Sequence, residues 1–111
     1  MAAWLTRVLF VCSQNRLRSP TAEAVFASFP GIKVASAGLD RQVEKPVTDD
    51  LIDWADVIFV MQKSHLEQMW GRFRGSLEGK KVVCLDIPDN YEYMEPDLVE
   101  LLQKKVTPHL G

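Results

Sequence analysis

Cysteine and histidine are both scarce in this chain, and neither sign of charge prevails. Two cysteines, Cys12 and Cys84, and two histidines, His65 and His109, occur among 111 residues. They form no cluster with metal-ligand spacing, so neither a metal nor another cofactor is expected. Both cysteines end or sit within strand-like apolar runs, which reads as two free thiols in a reducing compartment and argues against a disulfide scaffold. The formal net charge of −2 supplies no global basic surface to hold nucleic acid and leaves room only for a local cationic site. Long apolar runs are missing too. The first is only about five residues long, too short for a signal peptide and far too short to span a bilayer, so no membrane partner and a cytoplasmic location are expected. No internal repeat or low-complexity tract is present.

What remains is an ordinary globular composition, 47% hydrophobic and 25% charged. A chain of this length is expected to form one domain over residues 1–111 and to bury roughly two-thirds of its unfolded surface. Residues 7–12 are β-branched and aromatic and read as a strand covered on both faces. From Ser19 the pattern turns helical. Pro20 suits a first helical position, and Ala22, Val25, Phe26 and Phe29 share one face before Pro30 and Gly31 end the helix.

Residues 32–38 form the expected second strand. Thr48 reads as an N-cap with Asp49 and Asp50 in the first turn behind it, and residues 56–61 read as the third strand. Ser64 to Glu67 has capping-box spacing, followed by a stripe of Leu66, Met69, Trp70 and Phe73. A turn-rich segment from Gly71 to Gly79 precedes the fourth strand, which contains Cys84. Pro96 opens a last helix with Leu98, Leu101, Leu102 and Val106 inward. Alternating strands and helices predict an α/β fold: a flavodoxin-like, doubly wound, four-stranded parallel sheet of order 2-1-3-4, with helices on both faces. In such sheets ligands bind at the carboxyl ends of the strands where strand order reverses, here at the end of the first strand.

That position is occupied by Cys12-Ser13-Gln14-Asn15-Arg16-Leu17-Arg18-Ser19. A loop of this length, curling from a strand into a helix, can turn the backbone N–H groups of Ser13, Gln14, Asn15, Arg16 and Leu17 inward. With the positive end of the helix dipole they form a cup for a tetrahedral dianion. Arg18 adds a planar fork able to grip two phosphate oxygens at once. Cys12 lies at the bottom, where the N–H groups, Arg18 and the Ser19 hydroxyl favour an ionised sulfur, a nucleophile placed in line with a bound phosphoryl group. The plain alternative is that Cys12 is a small buried apolar residue. Phosphoester cleavage also needs a proton for the leaving oxygen. Asp86 and Asp89 both follow the fourth strand and both qualify, with Asp89 favoured because it stands further out on the loop. Tyr91 and Tyr93 could flank an aryl phosphate or be half-buried loop residues. His65 reads as a helix-surface residue, Arg16 as a rim cation or a solvated one, and Trp4, Trp54 and Trp70 as core residues.

The segment VLFVCSQNRLRSPTAEAVF resembles the active-site segment of the low-molecular-weight protein tyrosine phosphatases, a family that shares its fold with thioredoxin-coupled arsenate reductases. The likeness continues through VASAG, TDDLIDWADVIFVMQKSHLE and IPDNY. It implies Cys12 as nucleophile, Arg18 as the phosphate-binding arginine, Ser19 as the hydroxyl that stabilises the thiolate, Asn15 as a brace for the loop and Asp89 as general acid. The chain departs from the family pattern at Gln14, where a small residue is usual, at Leu17, where a second loop cysteine is common, and at Asn90, where proline is usual. A helix and a cleft-lining loop that the family has after the second strand are missing around residues 39–47.

The expected function is a cysteine-dependent phosphomonoesterase working through a cysteinyl-phosphate, with a phosphotyrosine protein or small aryl phosphate as substrate. The competing readings are a catalytically weak or inactive phosphate-binding relative, an arsenate reductase, which would need more thiols than Cys84, and a phosphocysteine carrier, against which Arg18 and an acid for turnover argue. Loss of a covering helix would expose apolar surface beside the second strand, which makes a homodimer an expectation too.

Overall fold

The structure is a computed structural model that describes residues 5–110. Its central strand, Thr6–Cys12 (β1), lies between Ile32–Gly38 (β2) and Val57–Val60 (β3), and Lys81–Cys84 (β4) forms the far edge. All pairs are parallel and the order is β2-β1-β3-β4, the flavodoxin-like arrangement expected from the sequence.

β1 is apolar without a break because both its faces are covered, and alternate side chains serve different layers. Val8, Phe10 and Cys12 pack with Ala22 and Phe26 of helix α1 (Arg18–Phe26) and with Leu98, Leu102 and Val106 of the last long helix, Pro96–Val106. Leu9 and Val11 point the other way. They meet Ile52 of α2 (Asp49–Trp54) and Met69 and Leu77 of α3 (Lys63–Leu77). The Pro96–Val106 helix is therefore α4, and a short 3-10 turn, Thr107–His109, follows it. Phe10 stacks between Phe26 and Phe59 at ring-centroid distances of 5.8 and 5.4 Å, a cluster that anchors the strand carrying Cys12. Truncating a buried ring of this kind costs about 3–5 kcal/mol.

The helix signals differ in how well they predict the observed ends. Thr48 caps α2 as expected, its hydroxyl accepting from the Leu51 N–H at 3.1 Å, with Asp49 and Asp50 in the first turn. α1 starts earlier than expected, at Arg18, so Pro20 is its third residue, where its missing N–H is still one of the unpaired helix-start groups. It also ends earlier, at Phe26, and Phe29 packs against the same core layer from the turn beyond.

The capping box of α3 is not Ser64 with Glu67. Gln62 is the N-cap and His65 its partner, because the imidazole reaches the Gln62 N–H. The segment expected as turns from Gly71 onward is helical to Leu77, with one non-helical residue at Phe73. Gly71 and Gly75 cost such a helix about 1 kcal/mol each, which burial of Met69 and Leu77 outweighs. Trp54 and Trp70 are partly buried against the α2–α3 layer, and Trp4 lies outside the described residues.

Residues 39–47 form no helix. The Gly38 N–H donates to the Lys45 carbonyl and the Val47 N–H to the Gly38 carbonyl, both at 2.8 Å, so the segment folds back on the end of β2. Leu39 and Val47 are thereby buried in the α2–α3 layer. Among the described residues the large exposed apolar side chains are Leu5, Tyr93 and Met94, none of them in β2 or in residues 39–47. No described helix is long and apolar enough to cross a membrane.

Candidate active site

The carboxyl end of β1 runs directly into the loop of residues 13–17, and α1 begins at Arg18. Neighbouring segments extend the ladder past the strands and hold the loop's base. Leu39 N–H donates to the Cys12 carbonyl at 2.9 Å and Asp40 N–H to the Ser13 carbonyl at 2.8 Å. Asn15 takes a left-handed conformation, φ 54°, which asparagine tolerates better than most residues, and this turns the chain back toward the sulfur. Gly38 lies against the loop so closely that a Cβ there would meet the Ser13 carbonyl oxygen at 2.9 Å.

Within the ring Cys12 is buried, and its sulfur faces two donors. The Asn15 N–H points to Sγ at 3.2 Å, and the Ser19 hydroxyl lies 2.9 Å away. Ser19 Oγ also accepts from Asn15 Nδ2 at 2.9 Å, which leaves its own proton free to donate to sulfur. Both contacts set a donor against the sulfur. Among the described residues, the backbone N–H groups of Ser13, Gln14, Arg16 and Leu17 make no hydrogen bond to protein, so the ring is rimmed with free donors. Such a ring is suited to a tetrahedral oxyanion.

Arg18 is almost wholly buried. Its Nη1 donates to the Ile87 carbonyl at 2.8 Å, and its Nε lies 3.7 Å from Asp89 Oδ1. These contacts engage only part of a five-donor guanidinium, the rest of which remains available to an anion. A cleft of about 350 Å³ opens above, lined by Cys12, Ser13, Gln14, Arg16, Leu17, Arg18 and Asp89.

Asn15 and Ser19 stand behind this wall and reach the sulfur. Asp86 does not line the cleft. It takes a positive φ of 57° in the turn after β4, and its carbonyl faces Lys105. Neither tyrosine lines it: Tyr91 packs on the α1–α4 layer, and Tyr93 is exposed. Cys84 cannot serve Cys12. It stands in register with Val60, itself paired with Val11, and packs in the α2–α3 layer, whereas Cys12 faces the α1–α4 layer. Among the described residues no group of side chains is arranged to hold a metal ion.

The sequence misplaced one residue altogether. His65, expected on a helix surface, is 1% exposed, and its Nε2 lies 2.9 Å from Ser13 Oγ. Burial, and then the nearby Arg18 charge, push its pKa down to about 4 against a weaker opposing pull from Asp89.

The family model for the low molecular weight phosphotyrosine protein phosphatases matches residues 7–55, the stretch that carries the ring. The chain is similar to this family over that stretch. Among curated proteins, the protein-arginine-phosphatase of Bacillus subtilis (strain 168) is 28% identical over 97 residues, covering 60% of this chain and 65% of that relative's length. Two solved structures share the fold. The YwlE arginine phosphatase from Geobacillus stearothermophilus matches with a TM-score of 0.73 at 23% identity, covering 95% of this chain and 92% of that one. The tyrosine phosphatase Wzb from Escherichia coli K30, solved in complex with phosphate, matches with a TM-score of 0.77 at 22% identity over 96% and 99% of the two chains.

Proposed function

We propose that the chain is a cysteine-dependent phosphomonoesterase acting on a phosphotyrosine protein or a small aryl phosphate. One observation carries this reading: a buried sulfur under a ring of free N–H donors, with a serine hydroxyl whose proton is directed at it by Asn15. In the proposed reaction Cys12 Sγ attacks phosphorus opposite the leaving oxygen. The S–P bond forms as the P–O bond to the leaving group breaks, and Asp89, at the cleft's edge, gives that oxygen its proton. As a carboxylate, Asp89 then takes a proton from water, which attacks phosphorus, breaks the S–P bond and releases inorganic phosphate with Cys12 restored. Arg18 and the loop N–H groups hold the phosphoryl oxygens through both steps. The proposed setting is a reducing one such as the cytoplasm, in keeping with two free thiols.

The competing arsenate reductase reading loses its disulfide relay, because Cys84 and Cys12 face opposite layers of the sheet. A phosphate-binding protein without turnover is separated by assay. Wild type is expected to hydrolyse p-nitrophenyl phosphate and Cys12→Ser to lose that activity, and a wild type that binds phosphate without turnover overturns the reading. Because the relatives include arginine phosphatases as well as tyrosine phosphatases, phosphotyrosine and phosphoarginine peptides are the paired substrates to compare. The proposal predicts preference for the first.

A further inference from the structure

We propose that His65 is a positioning residue of the phosphate site: its Nε2–H holds the Ser13 hydroxyl so that the hydroxyl proton is offered to an oxyanion in the cleft. The inference rests on the phosphatase reading of that cleft and adds a side-chain donor to a ring of backbone donors.

The proton positions follow from the two contacts of the imidazole. The Gln62 backbone N–H points at Nδ1 at 3.1 Å, and since an N–H can only donate, Nδ1 must be the bare, accepting nitrogen. A neutral ring then carries its proton on Nε2, which faces Ser13 Oγ at 2.9 Å. Ser13 Oγ is therefore the acceptor, and its own proton is free. No other side-chain partner of that hydroxyl occurs among the described residues, and Ser13 is exposed and lines the cleft.

The backbone at this point is also fixed, because the Ser13 carbonyl accepts from Asp40 N–H at 2.8 Å. The hydroxyl is thus held from two sides, with its remaining freedom directed to the cleft. The charged groups facing His65 are Arg18 and Asp89, and the neutral state that the tautomer requires agrees with its lowered pKa of about 4.

The two jobs of His65 can be separated. In His65→Asn the amide oxygen takes roughly the place of Nδ1 and keeps the helix cap, while nothing reaches Ser13. His65→Gln puts an amide nitrogen near the Nε2 position and gives up the cap. We expect Ser13→Ala and His65→Asn each to raise KM for p-nitrophenyl phosphate, and the inhibition constant of inorganic phosphate, by about tenfold, as for one hydrogen bond to a charged group, with the effect on KM and not on kcat.

The double variant should lose no more than either single one. Ser13→Thr, which keeps the hydroxyl, and His65→Gln should recover phosphate affinity, the latter with a lowered melting temperature. A purely structural His65 would leave Ser13→Ala silent and make His65→Asn lose melting temperature and kcat together, and that result overturns the inference. If wild type shows no hydrolysis, the phosphatase reading fails instead, and calorimetric titration of wild type and Ser13→Ala with inorganic phosphate still decides the role of the hydroxyl: equal affinities refute it.

Discussion

Replacing Gly38 with alanine adds a single methyl group where the structure has only backbone. The new Cβ would lie 2.9 Å from the Ser13 carbonyl oxygen, 3.0 Å from the Gln14 carbonyl carbon and 3.1 Å from the Asn15 nitrogen. All three are main-chain atoms of the phosphate ring, and none can swing aside as a side chain would. Favourable contacts between carbons begin at about 3.5 Å, so the ring must withdraw by about half an ångström. It is not free to do so, because Leu39 and Asp40 tie the Cys12 and Ser13 carbonyls to the segment that carries Gly38. Overpacking of this kind costs about 1–3 kcal/mol, which in a domain of this size lowers the melting temperature by about 4–12 °C. A cup displaced by a large fraction of an ångström loses up to about a hundredfold in rate. Gly38→Ala is thus expected to fold, to melt lower, and to show kcat/KM for p-nitrophenyl phosphate reduced by about 10–100-fold. Gly71→Ala is the control: a Cβ there meets nothing within 4 Å, so it should raise stability by about 1 kcal/mol and leave kcat/KM alone. Wild-type kcat/KM in Gly38→Ala would refute the reasoning.

Asp89→Asn is expected to reduce turnover by about 10²–10⁴ with inorganic phosphate still inhibiting, while Asp86→Asn stays near wild type; steady-state kinetics on both variants decide, and the reverse ranking would mean that the acid is Asp86. For His65 the sign of the pH effect is fixed by its pKa, lowered from 6.5 to about 4 in the folded chain. Between those values the unfolded chain binds more protons, so this residue's share of stability is complete above pH 6.5 and is lost as the pH falls toward 4, by about 3 kcal/mol in all. Urea midpoints from pH 4 to 8 should therefore slope less in His65→Asn than in wild type, and parallel slopes would contradict the assigned environment.

What the sequence revealed was mostly local. The run from β1 through the loop to α1 is contiguous, and its message lies in the distance between Cys12 and Arg18, which no tertiary contact can change. The sheet order followed from alternating elements and the handedness of crossovers. His65 was illegible because its partner, Ser13, is fifty-two positions away, and a histidine in a helix's first turn looks the same whether it faces solvent or a loop. Gly71 and Gly75 read as turn signals, yet the burial of α3 on the sheet overrode them. Residues 39–47 were expected to leave apolar surface beside the second strand. Leu39 and Val47 turned inward instead and pack in the α2–α3 layer.

The central claim is that the ring presents an oxyanion to the Cys12 sulfur and that a covalent phosphoryl group passes through that sulfur. Acid quenching of Asp89→Asn during turnover of p-nitrophenyl phosphate, followed by peptide mass spectrometry, tests it directly. The account predicts one phosphoryl group on the peptide that contains Cys12 and none on that peptide in Cys12→Ser handled the same way. An Asp89→Asn enzyme that releases p-nitrophenol while this peptide stays unmodified, or that carries the phosphoryl group on another residue, would contradict it.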